Sequence, residues 1–293
     1  MSGLVDAAIE ARMQSGFHEE VTRMVPFTRL VVERHAIAER YRAGRPYPHV
    51  VLDGLFDPRV LDRVAADFPG AETPRDWVAY DTENEIKRTS RGLIGVQPYA
   101  SAFLWQLASE PFLAWLREVT GIEDLVADPM FHGGGLHESF RGNWLNLHAD
   151  WTQHPHLPLV RRLNLIVYLT RDWQEEWGGA LELWSPGASE AGARVAPLFN
   201  RAVLFPTTAE TLHGFPDPLA CPPHLSRRSA SVFYWSPDPE AVKRGAPITF
   251  LPGRRQTRLR ALARSLVPPI AYQLRDGLKS GLRAALGRGR TEA

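Results

Sequence analysis

Cysteine is almost missing from this chain: Cys221 is the only one in 293 residues. An internal disulfide is therefore impossible, a cysteine-built zinc site is excluded, and a reducing compartment is the natural setting. Long hydrophobic runs are missing too. The first twenty residues, MSGLVDAAIEARMQSGFHEE, interleave acids and bases with apolar positions, and the longest apolar runs elsewhere are strand-sized. A cytoplasmic protein with no transmembrane span is expected. Neither an internal repeat nor a low-complexity tract is visible, so the organisation has to be read from local periodicity.

A large net charge of one sign is also lacking, the formal value being +1. The balance is uneven, however: residues 251–293 carry ten Lys/Arg and two Asp/Glu, or +8, which leaves −7 for the rest. Such a tail permits contact with an anionic membrane surface, but charge runs are usually solvated faces, and no nucleic-acid partner is expected. What the chain does have is apolar material, 44% of its residues with nine Trp and thirteen Phe. That is enough for a sizeable core in one large domain or two small ones.

Residues 1 to about 43 predict helix, with Val5, Ala8, Ile9 and Met13 at helical spacing and a second patterned segment from Val21 to Tyr41. RPYPHVVLDGLF, 45–56, then reads as a strand ending in a turn. Asp57 and Pro58 suit the N-cap and first position of a helix that places Val60, Leu61, Val64 and Phe68 on one face. Ser109 as N-cap and Gly121 just past the end bracket another helix, containing Phe112, Leu113, Trp115, Leu116 and Val119. From about residue 128 the pattern changes to short strands between Gly, Pro and Asn/Asp turns: GNWLNLHAD (142–150), RRLNLIVYLT (161–170), GALELW (179–184), NRAVLFP (200–206) and RRSASVFYWS (227–236). A helical pattern returns after residue 250 and is interrupted by Pro268 and Pro269. Three parts are expected: a helical segment at 1–44, a main domain at 45–250 with a β core at about 128–238, and a basic helical tail at 251–293.

The densest chemistry lies in LNLHADWTQHPH, 145–156. On a strand, His148 and Asp150 project to one side with Cα atoms about 6–7 Å apart, close enough to converge on one ion. Two imidazoles and a carboxylate form the facial triad of non-haem iron(II) oxygenases, so a second histidine must come from elsewhere. His18 and His35 lie in helical segments, His49 opens a strand, and His132 and His137 precede the His148 strand. His154 and His156 flank Pro155, which suits a surface loop, and His224 sits only three residues before Arg227. His213, in LHGFPDP after the NRAVLFP strand, remains.

Taken alone, H-x-D is a weak signal. The ordered set is stronger: H-x-D, YL-x-x-DW, GG-x-L-x-LW, N-R-x-V-L-F, a distal histidine and R-x-S-x-S on the last strand. Over roughly residues 128–238 this set resembles the core of the prolyl-4-hydroxylase-like 2-oxoglutarate/Fe(II)-dependent dioxygenases. RPYPHVVLDGLFDPRVLDRVAADFP resembles the segment that often precedes that core in bacterial members. The resemblance implies an α+β, mainly β fold, a double-stranded β-helix of the jelly-roll or cupin kind with flanking helices. It makes His148, Asp150 and His213 the ligands of Fe(2+), and Arg227 the partner of the distal carboxylate of 2-oxoglutarate. A guanidinium suits that task because its planar fork grips a carboxylate bidentately and stays charged. Tyr168 matches a family tyrosine that reaches the same carboxylate, and Ser229 and Ser231 share the strand face of Arg227. Alternation sends Arg228 to the other face. The parity of His148 makes Asn146 and Trp144 candidates for the pocket wall.

One departure from the family pattern is the interval of fourteen residues from His213 to Arg227, against about nine or ten in many relatives; FPDPLACPPHLS reads as a longer loop between strands. The implied activity is hydroxylation of an unactivated C–H with O2 and 2-oxoglutarate as co-substrates, succinate and CO2 as products, and ascorbate as an optional reductant. Retention of Asp150 favours hydroxylation over the halogenation of relatives that lack the carboxylate. The substrate is expected to be a small metabolite, a carrier- or glycan-linked intermediate, or a prolyl residue. The competing reading is a non-catalytic or zinc-binding β-sandwich acting as a binding module, since two histidines and a carboxylate also suit zinc. Arg227 and Tyr168 discriminate, because such a module needs no carboxylate clamp.

Overall fold

A computed structural model describes residues 23–70, 72–239 and 249–250. The chain divides into two compact units, Met1–Leu251 and Pro252–Ala293, and every described residue belongs to the first. The helix expected at 5–13 and the basic tail lie outside the described residues.

Among the described residues four α-helices come first or are interleaved with the early strands: α1 (Phe27–Ala43), α2 (Pro58–Ala66), α3 (Pro98–Leu107) and α4 (Glu110–Thr120). The strands are β1 (Val50–Asp53), β2 (Trp77–Asp81), β3 (Ile86–Ser90), β4 (Val126–Ala127), β5 (Gly135–Phe140), β6 (Leu145–Ala149) and β7 (Leu159–Tyr168). They continue with β8 (Leu181–Trp184), β9 (Ala193–Val195), β10 (Arg201–Pro206), β11 (Leu212–Phe215), β12 (Ser226–Pro237) and β13 (Thr249–Phe250). The larger antiparallel sheet runs β1-β10-β7-β12-β5-β3-β2, with β4 also on β12; the smaller runs β13-β6-β11-β8-β9. These sheets form the double-stranded β-helix.

Strand alternation divides the large sheet between two tasks. Leu163, Leu165 and Val167 of β7, Ala202 and Leu204 of β10, and Ala230, Val232 and Tyr234 of β12 are buried with the helices in the main core. Burying each such aliphatic side chain stabilises the fold by about 1.5–3 kcal/mol. The opposite face of the same strands, including Ile166, Ser229 and Ser231, turns toward a cavity.

Helix boundaries follow local chemistry. Asp57 caps α2, its side chain accepting from the Arg59 amide at 2.9 Å, with Pro58 in the first turn. Gly121 ends α4 at φ 75, a left-handed conformation that glycine adopts without a Cβ penalty. Ser109 occupies the N-cap position of α4 but its hydroxyl donates to the Gln106 carbonyl at 2.6 Å. Helix α3 ends only two residues earlier, and its last carbonyls take the donor that the next helix would have used. Helix α3 packs on the sheet from its C-terminal end, where the Tyr234 hydroxyl donates to the Leu107 carbonyl at 2.9 Å. Among the described residues no helix is long and apolar enough to cross a membrane.

Candidate metal centre

Strands β6 and β11 pair with His148 directly opposite His213. The pairing then slips: Phe215 faces Leu145, so three residues of β6 span two of β11. This β-bulge breaks the alternation of β6. It puts Leu145 and His148 on the cavity wall and turns the residues between them away. Gly214 makes the close approach possible, since a Cβ there would lie 2.7 Å from the Leu145 carbonyl oxygen and 2.8 Å from that of Asn146.

Among the described residues, His148, Asp150 and His213 are the one group of three side chains placed to hold a metal, with ligand atoms all within 4.8 Å of one another. Asp150 Oδ1 is 3.5 Å from His148 Nε2 and its Oδ2 is 3.7 Å from His213 Nε2. Each imidazole is held from behind: His148 Nδ1 meets the Asn146 carbonyl at 3.0 Å and His213 Nδ1 meets the Thr211 carbonyl at 3.2 Å. A carbonyl can only accept, so both Nδ1 atoms carry the proton and both Nε2 lone pairs face the carboxylate. Asp150 Oδ2 is enclosed and without a hydrogen-bond partner. Burial opposes the charge on Asp150, but the neighbouring His213, His148 and Arg161 outweigh it and hold the carboxyl well below the usual range. Burial, then the neighbouring His148, pushes the pKa of His213 down to about 4. The donor set, orientation and protonation fit a divalent cation of the iron class.

Arg227 lies in the same cavity, of about 480 Å³. Its Nε donates to the Gly179 carbonyl at 2.8 Å and its Nη2 to the Tyr168 hydroxyl at 3.1 Å. The guanidinium carbon stands 4.4 Å from the Phe215 ring centroid. Gly179 (φ +74) leaves room for it: a Cβ there would fall 2.6 Å from Leu219 and 3.1 Å from Arg227 Cδ. Among the described residues no carboxylate pairs with Arg227, and burial lowers its pKa. Ser229 and Ser231 line the cavity, with Ser231 Oγ donating to Asn164 Oδ1 at 3.0 Å. Arg228 points the other way and pairs with Glu138 at 2.9 Å. Tyr168 is wholly buried, and burial raises its pKa.

Two expected wall residues are not on the wall. Because of the bulge, the Asn146 amide donates to the Glu83 carbonyl at 3.2 Å instead, and Trp144 precedes the strand, its carbonyl accepting from Ile86 N at 2.9 Å. The expected surface loop at His154 and His156 also needs correction. His156 is exposed, but His154 is 2% exposed: its Nδ1 accepts from the amides of His156 and Leu157, and its Nε2 lies 3.2 Å from Asp128. It organises its loop and lies outside the triad.

Sequence reasoning missed Arg161, His132 and His137, which all line the cavity. Arg161 is 3.6 Å from Asp150, and its guanidinium carbon stands 3.9 Å from the Trp151 ring centroid and 3.6 Å from that of Phe233. A second bulge, where Arg161 to Leu163 span Trp235 and Tyr234, sets its direction. No single-strand pattern announces that.

Residues 135–235 match the family model described as the 2OG-Fe(II) oxygenase superfamily. That segment carries the pattern of the superfamily, whose members work with Fe(2+), 2-oxoglutarate and O2, and the chain has a prolyl-4-hydroxylase-like fold. Among solved structures, a prolyl hydroxylase from Trichoplax adhaerens, in complex with a hypoxia inducible factor peptide fragment, is 11% identical with a TM-score of 0.51, covering 75% of this chain and 96% of that one. A Pseudomonas putida prolyl-4-hydroxylase is 16% identical with a TM-score of 0.48, covering 70% and 98%. A 2OG-Fe(II) oxygenase family oxidoreductase from Burkholderia pseudomallei is 16% identical with a TM-score of 0.47, covering 73% and 94%. No curated protein matches the chain in sequence.

Proposed function

We propose that this chain hydroxylates an unactivated C–H bond, with residues 45–250 as its catalytic domain. In this reading His148, Asp150 and His213 hold Fe(II), and Arg227 with Tyr168 holds the distal carboxylate of 2-oxoglutarate beside Ser229 and Ser231. The observation that carries it is the buried Arg227 guanidinium, unmatched by any acid among the described residues, in the same cavity as the triad. A buried cation calls for an anion, and a zinc hydrolase or binding module has no use for one there.

When bound, iron with O2 and 2-oxoglutarate supplies the oxidation: one oxygen atom enters the substrate as hydroxyl, the other enters succinate, and CO2 leaves. The chain's own residues do the positioning. Two backbone carbonyls fix the imidazole tautomers, Asp150 stays ionised, and three faces of Arg227 are fixed by Gly179, Tyr168 and Phe215. Only the guanidinium edge facing the cavity is left for a ligand. The cavity volume, about 480 Å³, lies in the range of small-molecule sites. It suits a metabolite, the reactive end of a carrier- or glycan-linked intermediate, or a prolyl residue, the last supported by the peptide in the Trichoplax complex.

Succinate formation from 2-oxoglutarate is the test. It should require added Fe(II) and vanish in His148→Ala. A protein that takes up zinc, binds no 2-oxoglutarate and forms no succinate after iron loading would return the binding-module reading.

A further inference from the structure

Asn146 makes contacts that neither the cavity wall nor the apolar core accounts for. It sits in the bulge of β6, between Leu145, which faces Phe215, and His148, which faces His213. A bulge takes a residue out of the ladder and leaves its backbone groups to find other partners. Both groups of Asn146 find them. Its N–H donates to the Asn84 carbonyl at 2.8 Å, and its carbonyl accepts from His148 Nδ1 at 3.0 Å. The buried side chain reaches the same turn as the N–H: Nδ2 donates to the Glu83 carbonyl at 3.2 Å and to Asn84 Oδ1 at 3.5 Å.

Glu83 and Asn84 belong to the turn between β2 and β3, which lies before the segment that matches the family model. The turn docks along β6 and the residue before it, with Ile86 N donating to the Trp144 carbonyl at 2.9 Å and Glu85 bridging to Leu145. A hairpin of the larger sheet thereby grips the strand of the smaller sheet that carries His148. That hairpin also lines the cavity with Tyr80, Glu85 and Lys87. Thr82, exposed at the far side of the turn, shapes it: its hydroxyl accepts from the amides of Asn84 and Glu85, at 3.2 Å each. A relay of hydrogen bonds therefore runs from the turn through Asn146 to the imidazole. It fixes the carbonyl, and the carbonyl sets the plane and tautomer of the ring.

We propose that Asn146 is a positioning residue for the metal: held by the β2–β3 turn, it fixes the carbonyl that orients His148. The inference rests on the reading of His148, Asp150 and His213 as the metal ligands. Titration with Co(II) keeps the two apart, because absence of saturable binding to the unmodified protein overturns that reading. Given binding, Asn146→Ala should weaken Co(II) by about 10–100-fold. Thr82→Val, a change outside both β6 and the cavity lining, should weaken it by about threefold or more, as a partner one step further from the ligand. The 1H spectrum of the Co(II) protein supplies a readout that damaged packing alone would not move. Two exchangeable imidazole N–H signals shifted by the metal are expected. That of His148 should exchange faster with solvent in both variants, and that of His213, held by the Thr211 carbonyl, should not. If Asn146→Ala does not fold, Thr82→Val decides by the same two measurements. Co(II) affinity in Asn146→Ala within about threefold of the unmodified protein overturns the inference. So does an equal change in both N–H signals, and a loss in Asn146→Ala with Thr82→Val unchanged overturns the part assigned to the turn.

Discussion

His148 and His213 face each other in register across β6 and β11, with ring centroids 4.4 Å apart and each Nδ1 tied to the carbonyl two residues before it in the chain. Neither ring needs to move to present its Nε2 lone pair. Removing either one should cost metal affinity more than the 10–100-fold typical of outer partners. His148→Ala and His213→Ala are expected to lose Co(II) binding by more than about 100-fold in a spectroscopic titration. His154→Ala should keep it within about threefold and instead lower stability by about 1–3 kcal/mol in a denaturant melt, because it strips a buried ring from its loop. Equal metal loss in His154→Ala would remove the distinction.

Arg227 carries opposite expectations for the empty and the loaded protein. A buried cation lacking an acidic partner is a desolvation cost, so Arg227→Leu should leave the ligand-free melting temperature unchanged or raise it. The same change should weaken 2-oxoglutarate by about 2–5 kcal/mol, or roughly 30-fold to several thousandfold, in a calorimetric titration. Arg227→Lys keeps the charge but loses the planar fork and the contacts to Gly179 and Tyr168, so it should recover only part of the affinity. A large loss of stability in ligand-free Arg227→Leu would assign the guanidinium to the scaffold.

These residues also mark how much of the molecule the sequence makes legible. The strand cores were readable because β7, β10 and β12 carry apolar runs of strand length between turn residues, and the His148, Asp150, His213 and Arg227 positions stand out because each sits in a motif on or beside a strand. Strand β11, four residues long and followed by prolines, has too short a pattern to announce itself, and the β2–β3 hairpin, WVAYD followed by IKRTS, shows no period-two apolar pattern. The misplacement of Asn146 and the omission of Arg161 share one cause. Each lies beside a bulge, and a bulge is a property of two paired strands that alternation along one strand does not record. His137 was passed over because only pairing of β5 with β12 brings it to the cavity.

Acid should destabilise the metal-free protein earlier than carboxylate protonation would. Burial lowers the folded-state pKa of His137 to about 3 and of His213 to about 4, from 6.5. The unfolded chain therefore binds these protons first. The associated stability is fully present above about pH 6.5 and is lost as pH falls from there toward the folded values. The melting temperature of metal-free protein should decline between pH 7 and pH 5, and His137→Gln, which has nothing to protonate in that range, should flatten the decline. An identical slope in both proteins would show that His137 is not buried neutral.

Gly214 offers a way to disturb the centre without touching a ligand. Its neighbour His213 depends on the bulge that turns His148 toward the cavity, and a Cβ at 214 would come within 2.8 Å of both the Leu145 and the Asn146 carbonyl oxygens. Backbone atoms on a paired strand cannot swing aside as a flexible side chain does, so β6 has to shift away from β11. The Asn146 carbonyl is also the one that holds His148 Nδ1, and the shift therefore reaches the ring orientation directly. Gly214→Ala should lower Co(II) affinity by about 10–100-fold, the range for loss of an orienting partner. Its stability should fall by about 1–3 kcal/mol as well. Gly187→Ala is the control for general damage: that glycine, unlike Gly214, is at positive φ (+75), and its Cβ would meet nothing within 4 Å. It should lose some stability and no metal affinity. If Gly214→Ala bound Co(II) as tightly as the unmodified protein, the bulge would have to be discarded as the element that aims His148.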